Sequence, residues 1–157
     1  MYDVAIIGCG VIGAAAAFEI SKYQMNLLIL EKENDVAMGA TRANSAIIHA
    51  GYDPKPGTLM AELNVKGNAM AEKLCEELRV PFERVGSLVL AFSDEEMETV
   101  KVLYDRGVRN GVPGVNILSH DEVKAMEPLV SDEVKGALYA PSAGIINPWD
   151  YCLAFAE

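Results

Sequence analysis

The chain has 157 residues, 51% of them hydrophobic and 23% charged, and a net charge of −10. That length and apolar content suffice for one core of ordinary size, while the acidic balance argues against nucleic acid or anionic membrane as a partner, since their phosphates would be repelled. The three cysteines, Cys9, Cys75 and Cys152, are far apart and lack C-x-x-C spacing, which argues against a disulfide framework or a metal site and points to a reducing, cytoplasmic compartment.

Glu19, Lys22 and Glu31 interrupt the longest apolar stretch, so no transmembrane segment is expected, and the N-terminus runs straight into the first strand, leaving no room for a signal peptide. Residues 4–13 read VAIIGCGVIG. The run before Gly8 reads as a buried strand, residues 14–23 as an alanine-rich helix, and Leu27-Leu28-Ile29-Leu30 as a second strand closed by Glu31. Strand, G-x-G-x-x-G, helix, strand and acid form the unit that binds a dinucleotide.

Each residue type has a task there. Gly8 permits the turn, Gly10 has no side chain to hold off a pyrophosphate, and Gly13 lets the helix pack against the strands. The helix N-terminus offers unpaired N–H groups and a partial positive charge to a diphosphate. Glu31, followed by Lys32, can accept hydrogen bonds from ribose hydroxyls, and its charge disfavours a 2′-phosphate.

The stretch from Lys32 to Pro56 has no clear periodicity and mixes small with polar residues, as a functional loop lying close to a ligand would. Ile47 and Ile48 within it are expected to be buried. Residues 58–78 read as a helix whose core face is Leu63, Gly67, Met70, Leu74 and Leu78, ended by Pro81. Two short β-like runs follow, split at Gly86-Ser87 by a hairpin or a bend. Ser93 with Glu96 and Ser119 with Glu122 are capping boxes opening two further helices, the first stopped at Asn110-Gly111. His120, inside the second box, reads as solvent-exposed. Residues 115–118 and 135–140 are strand candidates. Asn147-Pro148 opens a last helix. A domain transition is placed near Pro81, giving 1–80 as the N-terminal half of a nucleotide-binding domain and 81–157 as part of a smaller α+β domain. One β-α-β unit is half of a doubly wound sheet, so the chain reads as a fragment of a longer protein.

Three stretches carry a resemblance: the Gly8–Gly13 fingerprint with Glu31; Gly39-Ala40-Thr41-Arg42-Ala43-Asn44-Ser45; and Ile47-Ile48-His49-Ala50-Gly51-Tyr52 running into Lys55-Pro56-Gly57-Thr58-Leu59. Together they resemble the N-terminal part of FAD-dependent oxidoreductases of the D-amino-acid oxidase superfamily. The nearest branch contains the glycerol-3-phosphate and L-2-hydroxyglutarate dehydrogenases. The resemblance implies a Rossmann-like α/β fold with noncovalent FAD. Gly8, Gly10, Val11, Ile12, Gly13, Glu31 and Lys32 would hold the ADP half, with Thr41 and Arg42 along the pyrophosphate. Asn44, Ser45 and Ala46 would pass near the isoalloxazine ring, and His49 would sit at the flavin or the substrate. By their residue types alone, Arg42 reads also as a surface arginine and His49 also as a core histidine. The implied activity is oxidation of a small hydroxylated substrate, glycerol 3-phosphate first. L-2-hydroxyglutarate, an amine or an amino acid is the alternative, and a non-catalytic dinucleotide-binding module is a rival of another class. The isolated chain is expected to be inactive, and to self-associate or to need a missing C-terminal half.

Overall fold

The computed structural model describes residues 1–157. The chain is mixed α/β, as expected, and divides into two compact units. Unit 1 comprises Met1–Ile47, Lys73–Phe82 and Ile146–Glu157; unit 2 comprises Ile48–Glu72 and Glu83–Ile145.

Unit 1 opens with β1 (Val4–Ile7), α1 (Val11–Ser21) and β2 (Leu27–Leu30). The two strands pair in parallel with Val4 opposite Leu27 and Ile7 opposite Leu30, as a β-α-β crossover requires. The helix begins at Val11 rather than at Ala14. Gly13 is therefore inside it, in its first turn.

The first strand is not buried throughout. Its faces alternate, and Ile7 is 88% exposed, as is half of Leu30. The buried core of unit 1 is Cys9, Ala14, Ala37, Cys152 and Phe155, with Val11, Phe18, Ile29, Leu74 and Leu78 packed around it. Ala14 and Ala17, both buried, keep the inner face of α1 small. The last helix, α5 (Pro148–Ala156), packs on α1, and the rings of Phe18 and Phe155 meet edge to face at 5.5 Å. Asn147 caps α5 as expected, its Oδ1 accepting from Trp149 N at 3.0 Å.

The loop after β2 contains a single 3-10 turn at Ala40–Arg42 and a two-residue strand, β3 (Ile47–Ile48). Ile47 remains 39% exposed, against the expected burial. α2 (Leu59–Leu78) follows, with Thr58 Oγ1 accepting from Ala61 N at 3.3 Å. Its buried residues are Ala61, Asn68, Ala71 and Cys75, whereas Leu63 and Met70 are more than half exposed. Of the expected face, Leu74 and Leu78 do pack on the core of unit 1, while Leu63 and Met70 give way to small residues, which hydrophobicity alone undervalues.

Unit 2 is built on an antiparallel sheet. β5 (Ser87–Ala91) and β6 (Asn116–Ser119) flank the central β7 (Gly136–Ala140). Leu88 stands opposite Tyr139 and Ile117 opposite Leu138. The pleat sends alternate residues to opposite faces. Val89, Ala91 and Leu138 face α3 (Asp94–Asn110) through Val100 and Met97. Leu88, Leu118 and Ala137 form a second cluster with Val123 of α4 (His120–Met126).

β4 (Phe82–Glu83) belongs to another sheet, of order β3-β8-β4, with β8 at Gly144–Ile146. The connection at Gly86-Ser87 is therefore a bend and not a hairpin. Both predicted caps form. Ser93 Oγ accepts from Glu96 N at 3.1 Å, although Glu96 reaches back to Phe92 N, and the Ser119–Glu122 box is reciprocal. His120 is half-buried rather than exposed, with Nδ1 at 2.6 Å from the Val134 carbonyl oxygen. That acceptor requires the proton on Nδ1 in the neutral ring. No helix is long and apolar enough to cross a membrane.

Candidate nucleotide site

The glycine turn between β1 and α1 is shaped by three separate constraints. Gly8 has φ +96°, a left-handed conformation that side chains disfavour. At Gly13 an added Cβ would lie 2.0 Å from Gly8 O, so only hydrogen lets the helix approach the strand end this closely. At Gly10 a Cβ would meet Thr41 Oγ1 at 3.2 Å. The bare backbone at Gly10 thus also accommodates a protein neighbour, in addition to any phosphate.

Thr41, 9% exposed, accepts a hydrogen bond from Val11 N at 3.0 Å through its hydroxyl. This bond ties the 3-10 turn to the first residue of α1. A hydroxyl that accepts through its oxygen keeps its own proton free to donate, so Thr41 can still offer a donor to an anion. A buried alanine, Ala37 (φ +60°), donates to Cys9 O at 3.0 Å and holds the loop beside the turn.

Glu31 faces the turn from the end of β2. Its Oε2 accepts from Cys9 N at 2.6 Å and its Oε1 from Glu33 N at 3.0 Å. These two backbone bonds, that to Cys9 foremost, hold its carboxyl below the usual carboxylate range. The carboxylate is half-buried and charged, and with about four lone-pair directions it has acceptor capacity left for a diol. Lys32 beside it is exposed, with Nζ 3.3 Å from Glu33 Oε1.

Gly8, Gly10, Val11, Ile12, Gly13, Glu31, Lys32 and Thr41 line one groove of about 690 Å³, together with Ile7, Leu30 and the 38–40 backbone. Helix-start N–H groups, a glycine floor, a hydroxyl and a carboxylate at the rim suit a diphosphate joined to a sugar diol. The residues present therefore fit the ADP half of FAD. Two features of the groove were not read from the sequence. Glu33 N–H orients the acid, and Ile7 and Ile12, 88% and 81% exposed, give an apolar wall. The period-two alternation of β1 is the signal that would have exposed Ile7.

The remaining candidates do not line this groove. Arg42 is exposed, with Nη1 3.6 Å from Met38 Sδ. The Asn44 amide is engaged by its own loop, donating to Thr41 O at 2.6 Å and Ala40 O at 3.2 Å and accepting from Ala46 N at 2.7 Å. It braces Ala46, whose φ of +60° is uncommon for a residue with a Cβ. Ser45 is exposed. His49 is exposed in unit 2, where it lines a cleft of about 140 Å³ with Gly51, Tyr52, Asp53, Pro54, Met60 and Asn64. It is not a core histidine.

Residues 3–157 match the family described as FAD dependent oxidoreductase (DAO). The glycerol 3-phosphate dehydrogenase of Caloramator mitchellensis is 60% identical over all 157 residues, which cover 33% of its length. The mitochondrial L-2-hydroxyglutarate dehydrogenase of Dictyostelium discoideum is 38% identical over 150 residues, with 94% of this chain and 33% of that protein covered. Among solved structures, the dithionite-reduced L-alpha-glycerophosphate oxidase from Mycoplasma pneumoniae with FAD bound superposes with a TM-score of 0.91 at 32% identity, covering 99% of this chain and 41% of that one. The chain spans about a third of the length of the curated relatives it matches. With a glycine-turn groove built for a nucleotide and a family match along nearly its whole length, the chain belongs to the FAD-dependent oxidoreductases of the DAO family.

Proposed function

We propose that the whole protein is a glycerol-3-phosphate dehydrogenase, removing a hydride from the carbon that bears a hydroxyl of glycerol 3-phosphate. The observation that carries this reading is the 60% identity, along the entire chain, to a protein of that name. FAD, when bound, supplies the hydride acceptor, and the protein binds and orients it. We assign the ADP half to Gly8, Gly10, Val11, Ile12, Gly13, Glu31 and Lys32. Thr41 and Arg42 are assigned to the pyrophosphate, with Asn44, Ser45 and Ala46 toward the ring.

His49 is assigned the proton-accepting role at the substrate hydroxyl. Its exposed ring and place in a cleft support that role, because a general base must be reachable by the substrate. In this reading residues 1–80 belong to the FAD-binding domain and 81–157 to the substrate domain. The three buried free thiols fit a reducing, cytoplasmic setting.

The test is a comparison of kcat/KM for glycerol 3-phosphate, L-2-hydroxyglutarate and glycine, measured on the full-length protein with an artificial electron acceptor. The expected result is a preference for glycerol 3-phosphate of two decades or more (~10²-fold), as for sites whose charged groups must be matched by the substrate. A preference for L-2-hydroxyglutarate would move the protein to the second branch. No turnover with any donor and no bound flavin would support the non-catalytic module.

A further inference from the structure

We propose that Asn68 is a positioning residue for His49. The inference rests on the reading that His49 acts at the substrate. Asn68 sits on the buried stripe of α2 between Ala61 and Ala71, and is only 5% exposed. Asparagine is a weak helix former, and a buried amide is costly unless its polar atoms are paired. Here every side-chain polar atom is paired. Nδ2 donates to His49 O at 3.1 Å and to Ser142 O at 2.8 Å. Oδ1 accepts from Arg84 Nη1 at 3.2 Å, and Asn68 O accepts from Arg84 Nη2 at 3.1 Å. Arg84 is itself braced by Glu72, with Nε to Oε2 at 3.0 Å.

The two carbonyls that Asn68 holds are not equivalent. Ser142 O also receives Arg84 Nη1 at 2.5 Å, so it keeps a donor if the amide is removed. His49 O has Asn68 as its donor and no second one. The His49 ring makes no hydrogen bond to the protein, so nothing downstream of its backbone fixes the imidazole. The peptide pinned by Asn68 therefore sets where the ring starts from. The same cleft is lined by Asn64, whose Oδ1 is buried without a hydrogen-bond partner. A reacting group must be held to a fraction of an ångström, and a displacement of about 1 Å costs about a hundredfold.

The experiment uses the full-length, flavin-loaded protein with glycerol 3-phosphate as the probe. Asn68→Ala removes both donors. Asn68→Asp is isosteric, keeps the acceptor for Arg84 and lacks the donors, so it remains decisive if the alanine variant does not fold. Both are expected to retain stoichiometric flavin and to slow the flavin-reduction rate constant about ten- to a hundredfold, with substrate Kd nearly unchanged. In the double variant with His49→Ala, either change is expected to slow reduction no further than His49→Ala alone, because Asn68 acts through that residue. Multiplicative losses in the double variant would overturn the proposal and mark Asn68 as merely structural. A slowed His49→Ala with an unchanged Asn68→Asp would overturn the positioning role and leave the role of His49 intact. An unchanged His49→Ala would overturn both.

Discussion

Glu31 combines two properties that a simple surface acid lacks. Two backbone N–H groups orient it, and they hold its carboxyl below the usual carboxylate range. A preoriented carboxylate loses little freedom when a diol docks, which favours affinity. In the full-length protein, Glu31→Ala is expected to weaken FAD binding by about 1.5–3 kcal/mol, or about one to two decades in Kd. Unchanged affinity by titration of the apoprotein would remove Glu31 from the site.

Tyr151 lies in the same unit, against the Cys9–Cys152 core. Burial, with a smaller contribution from Cys75, pushes its phenol up to about 12. A group raised on folding contributes stability that is intact below its unfolded value of about 10 and is lost as pH rises through about 12. Unfolding followed by circular dichroism across that window is expected to show the loss, and Tyr151→Phe to remove that part of it. A variant with the same alkaline profile as the parent would show that another group governs it.

At the scale of elements, the tightest constraint is the crossing of α1 against the end of β1. Gly13→Ala places a methyl 2.0 Å from a backbone oxygen, a contact that only movement of the helix can relieve. The expected cost exceeds the usual 1–3 kcal/mol of overpacking, because no flexible side chain is available to give way. The full-length variant should lose both flavin and thermal stability. Normal flavin content with an unchanged Tm would show that the helix sits farther from the strand.

Punctuation is what made such elements legible. The glycine pattern, the Ser93 and Ser119 caps and Asn147-Pro148 each state a local hydrogen-bond solution, and helices begin where they stand. Patterns of hydrophobicity served less well. In α2 the large residues Leu63 and Met70 turned outward while Ala61, Asn68 and Ala71 turned in, a choice made by the space beside the helix and not by the residues themselves. The same gap hid Asn68, since a polar residue on a buried stripe is informative only once the stripe is known. Of the candidate site, the groove around Gly8–Gly13 could be read because its chemistry is contiguous in sequence. The task of His120 could not, because its partner, the Val134 carbonyl, is brought to it by folding.

At the scale of the molecule, the 157 residues leave Ile7 and Ile12 open to water on the groove side, with Leu59, Met60 and Leu129 exposed elsewhere. Apolar surface of this kind marks interaction surfaces when it is contiguous. The relatives are about three times as long, and a doubly wound domain has a second half. The chain alone is therefore expected to bind FAD weakly, to show no turnover and to self-associate. Flavin content and light-scattering mass check this, and a yellow, monomeric, active 157-residue protein would contradict it.

The anaerobic absorption spectrum of the full-length protein shows whether it holds FAD and whether glycerol 3-phosphate reduces that flavin. On addition of glycerol 3-phosphate the oxidised flavin band is expected to bleach. A flavin band that persists with glycerol 3-phosphate would rule out that substrate, and a protein purified without flavin would rule out the cofactor.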